Sequence, residues 1–179
     1  MISGYYNQIK NELLNNEVYK RVKDYSKNRN ELSTYYNVGK LLIEAGKQYG
    51  EKIIGNYSEK LVVEVGKKYN KRTLFRMRQF YKLIEEQKVS TVSTQLSWSH
   101  YCELLSIKDI DEINYYIITT ERYNLSVREL RERIKNKEYQ RLDDNTKLKL
   151  INKKELYISD TIKNPIIIKN KLDIDKENV

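Results

Sequence analysis

Apolar residues over the first fifty positions recur mostly at steps of three, four and seven. Ile9, Leu13, Val18, Val22, Tyr25, Leu32, Tyr36, Gly39 and Ile43 follow this spacing, the repeat of one face of a helix. The pattern predicts helix over roughly 5–49. A break is expected near Asn15-Asn16, because Asn favours caps over helix interiors. Gly46 and Gly50 are expected to end the element, and Gly55-Asn56 reads as a turn. Ser58 is the next N-cap candidate, followed by a short stripe of Leu61, Val62 and Val65. Asn70 then caps a helix from Lys71 to about Gln87. Two short helices joined by so tight a break predict a helix-turn-helix at about 58–87.

Residues 89–94 (Val89 to Thr94) are polar and β-branched, and read as a linker between two helical halves. Ser97 is expected to cap a short helix carrying Trp98, Tyr101, Leu104 and Leu105. Asp109 is expected to cap the next, with Ile113, Tyr116, Ile117 and Tyr123. Ser126 and Glu129 have the spacing of a capping box, each side chain satisfying an orphan amide of the first turn. The helix that follows carries Val127, Leu130 and Ile134. Periodicity weakens after about Leu150, and Ile166-Ile167-Ile168 behind Pro165 reads as strand-like or extended. The expected fold class is therefore all-α, with six to eight helices in two linked halves. Those halves are 1–88 and 89–170, and 171–179 is a frayed, charged tail.

Composition narrows the function classes. The 179 residues hold one Cys, one His, one Pro and six Gly. One Cys rules out a disulfide framework and a Cys-based zinc site within one chain. No apolar run approaches the ~18 residues of a membrane span, and the first ten residues lack the apolar centre of a signal peptide. A cytoplasmic protein with no cofactor is expected. The net charge is +9, which points to a polyanionic partner.

That charge is concentrated. The seventeen residues from Gly66 to Lys82 contain seven cations, Lys67, Lys68, Lys71, Arg72, Arg76, Arg78 and Lys82, and no acid. Such a cluster gains affinity for a line of phosphates by releasing condensed counterions. At about 100° per residue, Leu74, Met77, Phe80, Tyr81 and Ile84 fall on one side as core. Arg72, Arg76 and Gln79 fall broadly opposite, with Lys71, Phe75 and Lys82 beside them. Arg pairs with guanine and Gln with adenine, so this surface has the chemistry both to grip phosphates and to read base edges. Phe75 on the outer side either stacks on a base, meets thymine methyls, or packs against the first helical segment. A basic helix face is also commonly just solvated.

Catalytic constellations are missing from the pattern. His100 has no nucleophile or metal site beside it in sequence and reads as a packed or capping residue. Trp98 reads as a core anchor and Cys102 as a small buried side chain. Glu86-Gln87-Lys88 is the single Glu-x-Lys; it falls at a helix end with no strand and no upstream Asp. A Gly-rich phosphate loop and a nucleophile elbow are both absent. The chain is expected not to be an enzyme.

Four strings carry a family resemblance. Tyr35-Tyr36-Asn37-Val38-Gly39-Lys40 resembles a "YWxIGr" signature, and the run from Lys71 to Tyr81 (KRTLFRMRQFY) resembles "SrrNLxrMRqFY". Gln95 to His100 (QLSWSH) and Leu125 to Leu130 (LSVREL) follow in the same order. Together, over about residues 5–168, they look like the N-terminal domain of the YhcG-type family. The resemblance implies a helical, helix-turn-helix-like nucleic-acid-binding module that normally precedes a PDDEXK nuclease domain. The chain ends shortly after Asn164-Pro165-Ile166, so the nuclease half is expected to be missing, the chain being either a stand-alone module or a fragment. Residues 96–134 are also similar to the helical DNA-binding core of ParB-type partition proteins, which makes Arg128 and Arg131 secondary phosphate candidates. The expected partner is DNA more than RNA, held by Lys67, Lys68, Lys71, Arg72, Arg76, Arg78, Gln79 and Lys82. A homodimer and a nuclease acting in trans are further expected partners. The rival expectation is a protein-interaction module that recruits a separate nuclease.

Overall fold

The computed structural model describes residues 4–21, 27–86, 93 and 95–151. They form eight α-helices and one short 3-10 turn, with no strand among the described residues. The helices are α1 (Gly4–Arg21), α2 (Lys27–Tyr49), α3 (Ile53–Glu64), α4 (Lys71–Glu86), α5 (Trp98–Leu104), α6 (Ile110–Tyr123), α7 (Val127–Lys135) and α8 (Asp144–Ile151). The all-helical expectation holds. Residues 87–92, with most of the expected linker, and 152–179, with Ile166–Ile168 and the expected tail, lie outside the described residues. The chain divides into two compact units, Met1–Arg131 and Glu132–Val179.

The first unit is built around α2. Tyr6, Ile9 and Leu13 of α1 pack with Tyr35, Val38, Leu42 and Ala45 of α2 and with Leu74 and Met77 of α4 in one core. At Gly39 the backbone of α2 meets the backbone of α4. A Cβ there would stand 2.8 Å from Tyr81 Cβ and 2.9 Å from the Met77 carbonyl carbon, with the Met77 oxygen nearer still. Only a hydrogen fits, so glycine lets the two helices close to this separation. Aromatic rings continue the core toward α5. Trp98 stands edge-on to Tyr35 at 4.7 Å and to Phe80 at 5.6 Å, and Phe80 meets Tyr101 at 4.9 Å. Trp98 is thus the core anchor expected of it.

Several local expectations are corrected. α1 runs through Asn15-Asn16 without a break, and Asn16 is buried on the stripe that continues Tyr6, Ile9 and Leu13. Val18, placed on that stripe by spacing, is exposed. On α2 the buried face is Leu32, Tyr35, Val38, Leu42 and Ala45, one residue away from Tyr36 and Ile43. Helix α3 starts at Ile53, so Gly55-Asn56 lies inside it, and Ser58 is buried within it rather than capping it. The physical reason is Ile54 and Tyr57, which extend the Leu61 stripe backwards by about two turns and outweigh two residues of weak helix propensity. Gly46 likewise stays helical. Gly50, at φ +80°, ends α2 and donates its amide to the Gly46 carbonyl at 2.9 Å, a left-handed C-cap that suits glycine.

The other expected caps form. Asn70 Oδ1 accepts from the Thr73 amide at 3.2 Å, and Asp109 Oδ1 accepts from the Asp111 amide at 2.9 Å. Glu129 accepts from the Ser126 amide at 2.7 Å while Ser126 Oγ accepts from the Glu129 amide at 3.3 Å. At α5 the box uses a histidine: the Ser97 amide donates to His100 Nδ1 at 3.1 Å. That fixes the tautomer, because a nitrogen that accepts leaves the ring proton on Nε2, which then donates to the Leu125 carbonyl at 3.0 Å. His100 therefore ties α5 to the entrance of α7. In the second unit, Asp143 caps α8 through Thr146, and Arg133 pairs with Glu138 at 2.9 Å.

Replacing Gly39 by Ala is expected to destabilise the chain at or above the upper end of the ~1–3 kcal/mol typical of overpacking, because the obstruction is backbone and cannot rotate away. Urea unfolding followed by circular dichroism measures it, and a midpoint equal to that of the unaltered chain refutes it.

Candidate nucleic-acid interface

Helix α4 reaches solvent along one sector. Lys71, Arg72, Phe75, Gln79, Lys82 and Glu85 are exposed, whereas Leu74, Met77, Phe80 and Leu83 are buried. On a helical wheel of about 100° per residue, the exposed six span roughly 140°, from Glu85 at one edge to Arg72 at the other, with Phe75 near the middle. Arg76, at the sector's edge, is half-buried. Its charge reaches Glu103 and Cys102 of α5. Lys67, in the turn before α4, is exposed as well. No carboxylate among the described residues lies within 4.0 Å of Lys67, Lys71, Arg72, Arg76 or Lys82.

Two of the expected contact residues are occupied otherwise. Arg78 donates to both oxygens of Glu51, Nη1 at 2.5 Å and Nη2 at 2.9 Å, and its side chain is only 13% exposed. This fork-on-fork pair, with Lys82 adding its charge, holds the Glu51 carboxyl below the usual carboxylate range. Lys68 pairs with Glu17 of α1. Arg131 is similarly engaged, donating to Glu103 from Nε at 3.1 Å and Nη2 at 2.8 Å.

The Lys68 contact belongs to a network that seats the base of α4 on α1 and α2. Buried Tyr69 donates to Glu17 at 2.5 Å. Tyr35 donates to Glu31 at 2.9 Å, and Lys20 pairs with Glu31 and donates to Tyr35 at 3.3 Å. Burial pushes the Glu17 carboxyl up, but hydrogen bonds from Lys68 and Tyr69 outweigh it and leave the group below its ordinary value. Burial pulls the Lys68 ammonium down, aided by Lys20 and opposed by Glu17. Burial, then Glu17, raises the Tyr69 phenol. At the other end of α4, Tyr36 donates to Glu85, which with partial burial raises that phenol to about 12.

Elsewhere, an open groove of about 430 Å³ lies between α1 and α2, lined by Gln8, Asn11, Asn15, Asn37 and Lys40 among others, with no residue from α4. Among the described residues no three His, Cys, Asp or Glu side chains converge as metal ligands. Cys102 is half-buried, and burial raises its thiol. No helix of the described residues is long and apolar enough to cross a membrane.

Spacing and charge singled out the exposed cations and Gln79. They also placed Phe75 on the outer side, where it is exposed, but set it beside the Arg72–Arg76–Gln79 face rather than near the middle of the exposed sector. The removal of Arg78 and Lys68 from the free set left no signal, because their partners stand 27 and 51 residues away in sequence.

An all-helical protein whose second and fourth helices meet through a glycine is the class this fold defines. The chain belongs to the DUF1016 N-terminal domain family, which matches residues 12–141. No curated protein and no solved structure matches it.

The Glu17 carboxyl sits below its ordinary 4.5 when folded, so its contribution is complete above that value and is lost as pH falls through the lower, folded one. Glu17→Gln is expected to lower stability at neutral pH by about 1–2 kcal/mol, allowing for partial exposure, and to flatten the acid limb below about pH 4.5. Thermal melts between pH 3 and 7 measure both; parallel pH profiles for the two proteins contradict the assignment.

Proposed function

We propose that this chain is a DNA-binding module of the YhcG type, using the exposed sector of α4 and the turn before it. The observation that carries this reading is a continuous outward face holding Lys71, Arg72, Gln79 and Lys82, flanked by Lys67 and Arg76, with no acid in ion-pair reach among the described residues. Phosphate contacts dominate affinity for such a face, and Arg72, Arg76 and Gln79 have the chemistry to approach base edges. Arg78 and Lys68 serve the fold instead: one is clamped by Glu51, the other by Glu17. The six-residue connection between α3 and α4, with α4 packed chiefly on α2, supports reading this as a variant of the helix-turn-helix arrangement. The chain is proposed to bind rather than to cut, cleavage falling to a nuclease fused to such a module or acting in trans. A homodimer doubles the contacts.

A second reading, a protein-interaction module that recruits a nuclease, draws on Leu14 and Val18, apolar residues one turn apart and exposed on α1. Salt separates the two. Gel retardation of duplex, single-stranded and branched DNA across a salt series is expected to show log affinity falling by about 0.9 per neutralised phosphate. The Arg72→Ala/Arg76→Ala double variant is expected to fold normally, to bind at least about tenfold more weakly, and to lose roughly two phosphates' worth of that slope. Retention indifferent to salt and to both substitutions removes the DNA-binding reading and leaves the interaction module.

A further inference from the structure

The exposed sector of α4 carries one side chain that charge does not explain. Phe75 is 36% exposed and stands near the middle of the outward, largely cationic face, apart from the buried Leu74, Met77, Phe80 and Leu83. Two cations attend it. The Arg78 guanidinium carbon lies 5.6 Å from the ring centroid and the Lys71 ammonium 5.9 Å. They differ in freedom: Arg78 is held by both oxygens of Glu51, whereas Lys71 has no carboxylate in reach among the described residues. The clamped guanidinium restrains the ring, and the unclamped ammonium remains available to a phosphate.

We propose that Phe75 is a base-stacking residue, so that this face takes an unpaired nucleotide, its base on the Phe75 ring and its flanking phosphates on Lys71, Arg72 and Lys82. The proposal rests on the nucleic-acid reading above and names the form of ligand. A phenyl ring has no hydrogen-bonding group, so it cannot read a base edge; it offers a π-face and an apolar rim. In a duplex every base face is covered by its neighbours, and the thymine methyl is the apolar contact left in the major groove. An unpaired base presents its whole face, and stacking on an aromatic side chain is worth roughly five- to 150-fold in affinity. Gln79, exposed beside the ring, adds a carboxamide for whatever edge the stacked base turns toward it.

Fluorescence anisotropy with the intact chain tests this. The probes are an oligothymidine about 20 nucleotides long, above the site sizes typical of single-strand binders, and a duplex of the same length. The unaltered protein is expected to prefer the single strand. Phe75→Ala is expected to weaken single-strand binding roughly five- to 150-fold while leaving duplex affinity and the melting temperature unchanged, and Phe75→Trp to restore it. Phe75→Leu, which keeps an apolar side chain without a π-face, is expected to behave like Phe75→Ala and serves if the alanine variant folds poorly. Equal weakening on both probes, or none on either while binding still falls with salt, overturns the stacking role and leaves the electrostatic reading standing. A chain that retains neither probe at low salt overturns both.

Discussion

The close approach of α2 to α4 at Gly39 constrains much of the surrounding architecture. Two helices packed through ordinary side chains stand 8–10 Å apart; a glycine against a carbonyl lets them stand nearer. At that separation α4 has little rotational latitude, because Met77 and Tyr81 must both face Gly39. Once Met77 faces inward, the helical repeat decides every other direction. Leu74, Phe80 and Leu83 go to the core, Arg78 turns toward Glu51, and Phe75 turns to water with Lys71, Arg72, Gln79 and Lys82. The composition of the outward face is thus a consequence of one missing methyl group on the neighbouring helix.

The four strings that carry the family resemblance meet in space. Tyr36, one turn before Gly39, packs against Tyr81 with ring centroids 5.0 Å apart and planes tilted by 52°, joining the first string to the second. Trp98 of the third stands against Tyr35 of the first and Phe80 of the second. His100 of the third donates to Leu125 at the start of the fourth. Most of what makes these strings recognisable is therefore packing and capping, and only a few of their residues point outward. Belonging to the DUF1016 N-terminal domain family accordingly speaks first of how the helices are assembled.

Much of the helical layout was legible because caps are local. Asn70, Ser97, Asp109 and Ser126 each satisfy amides within three residues, so spacing alone exposes them. What spacing could not resolve was which side of α2 is buried, since α1 and α4 both cover it. The buried stripe consequently lies one residue from the simple periodic choice, with Tyr35 and Leu42 inside and Tyr36 and Ile43 at the edge. Ser58 misled for a related reason: a good capping residue is overruled when apolar neighbours upstream can continue the helix into the core. For the candidate site, charge density singled out α4, whose exposed face carries Lys71, Arg72 and Lys82. The sorting of its cations into clamped and unclamped required the partner acids, which other helices supply.

The network at the foot of α4 and the Tyr36–Glu85 contact near its tip have a joint consequence. A rod moored at both ends and welded at its middle cannot swing to meet a guest. On the nucleic-acid reading proposed above, the polyanion rather than the helix does most of the bending, unstacking or rotating. On that same reading, such a surface discriminates by pliability, favouring partners that deform cheaply over stiff ones of the same charge density.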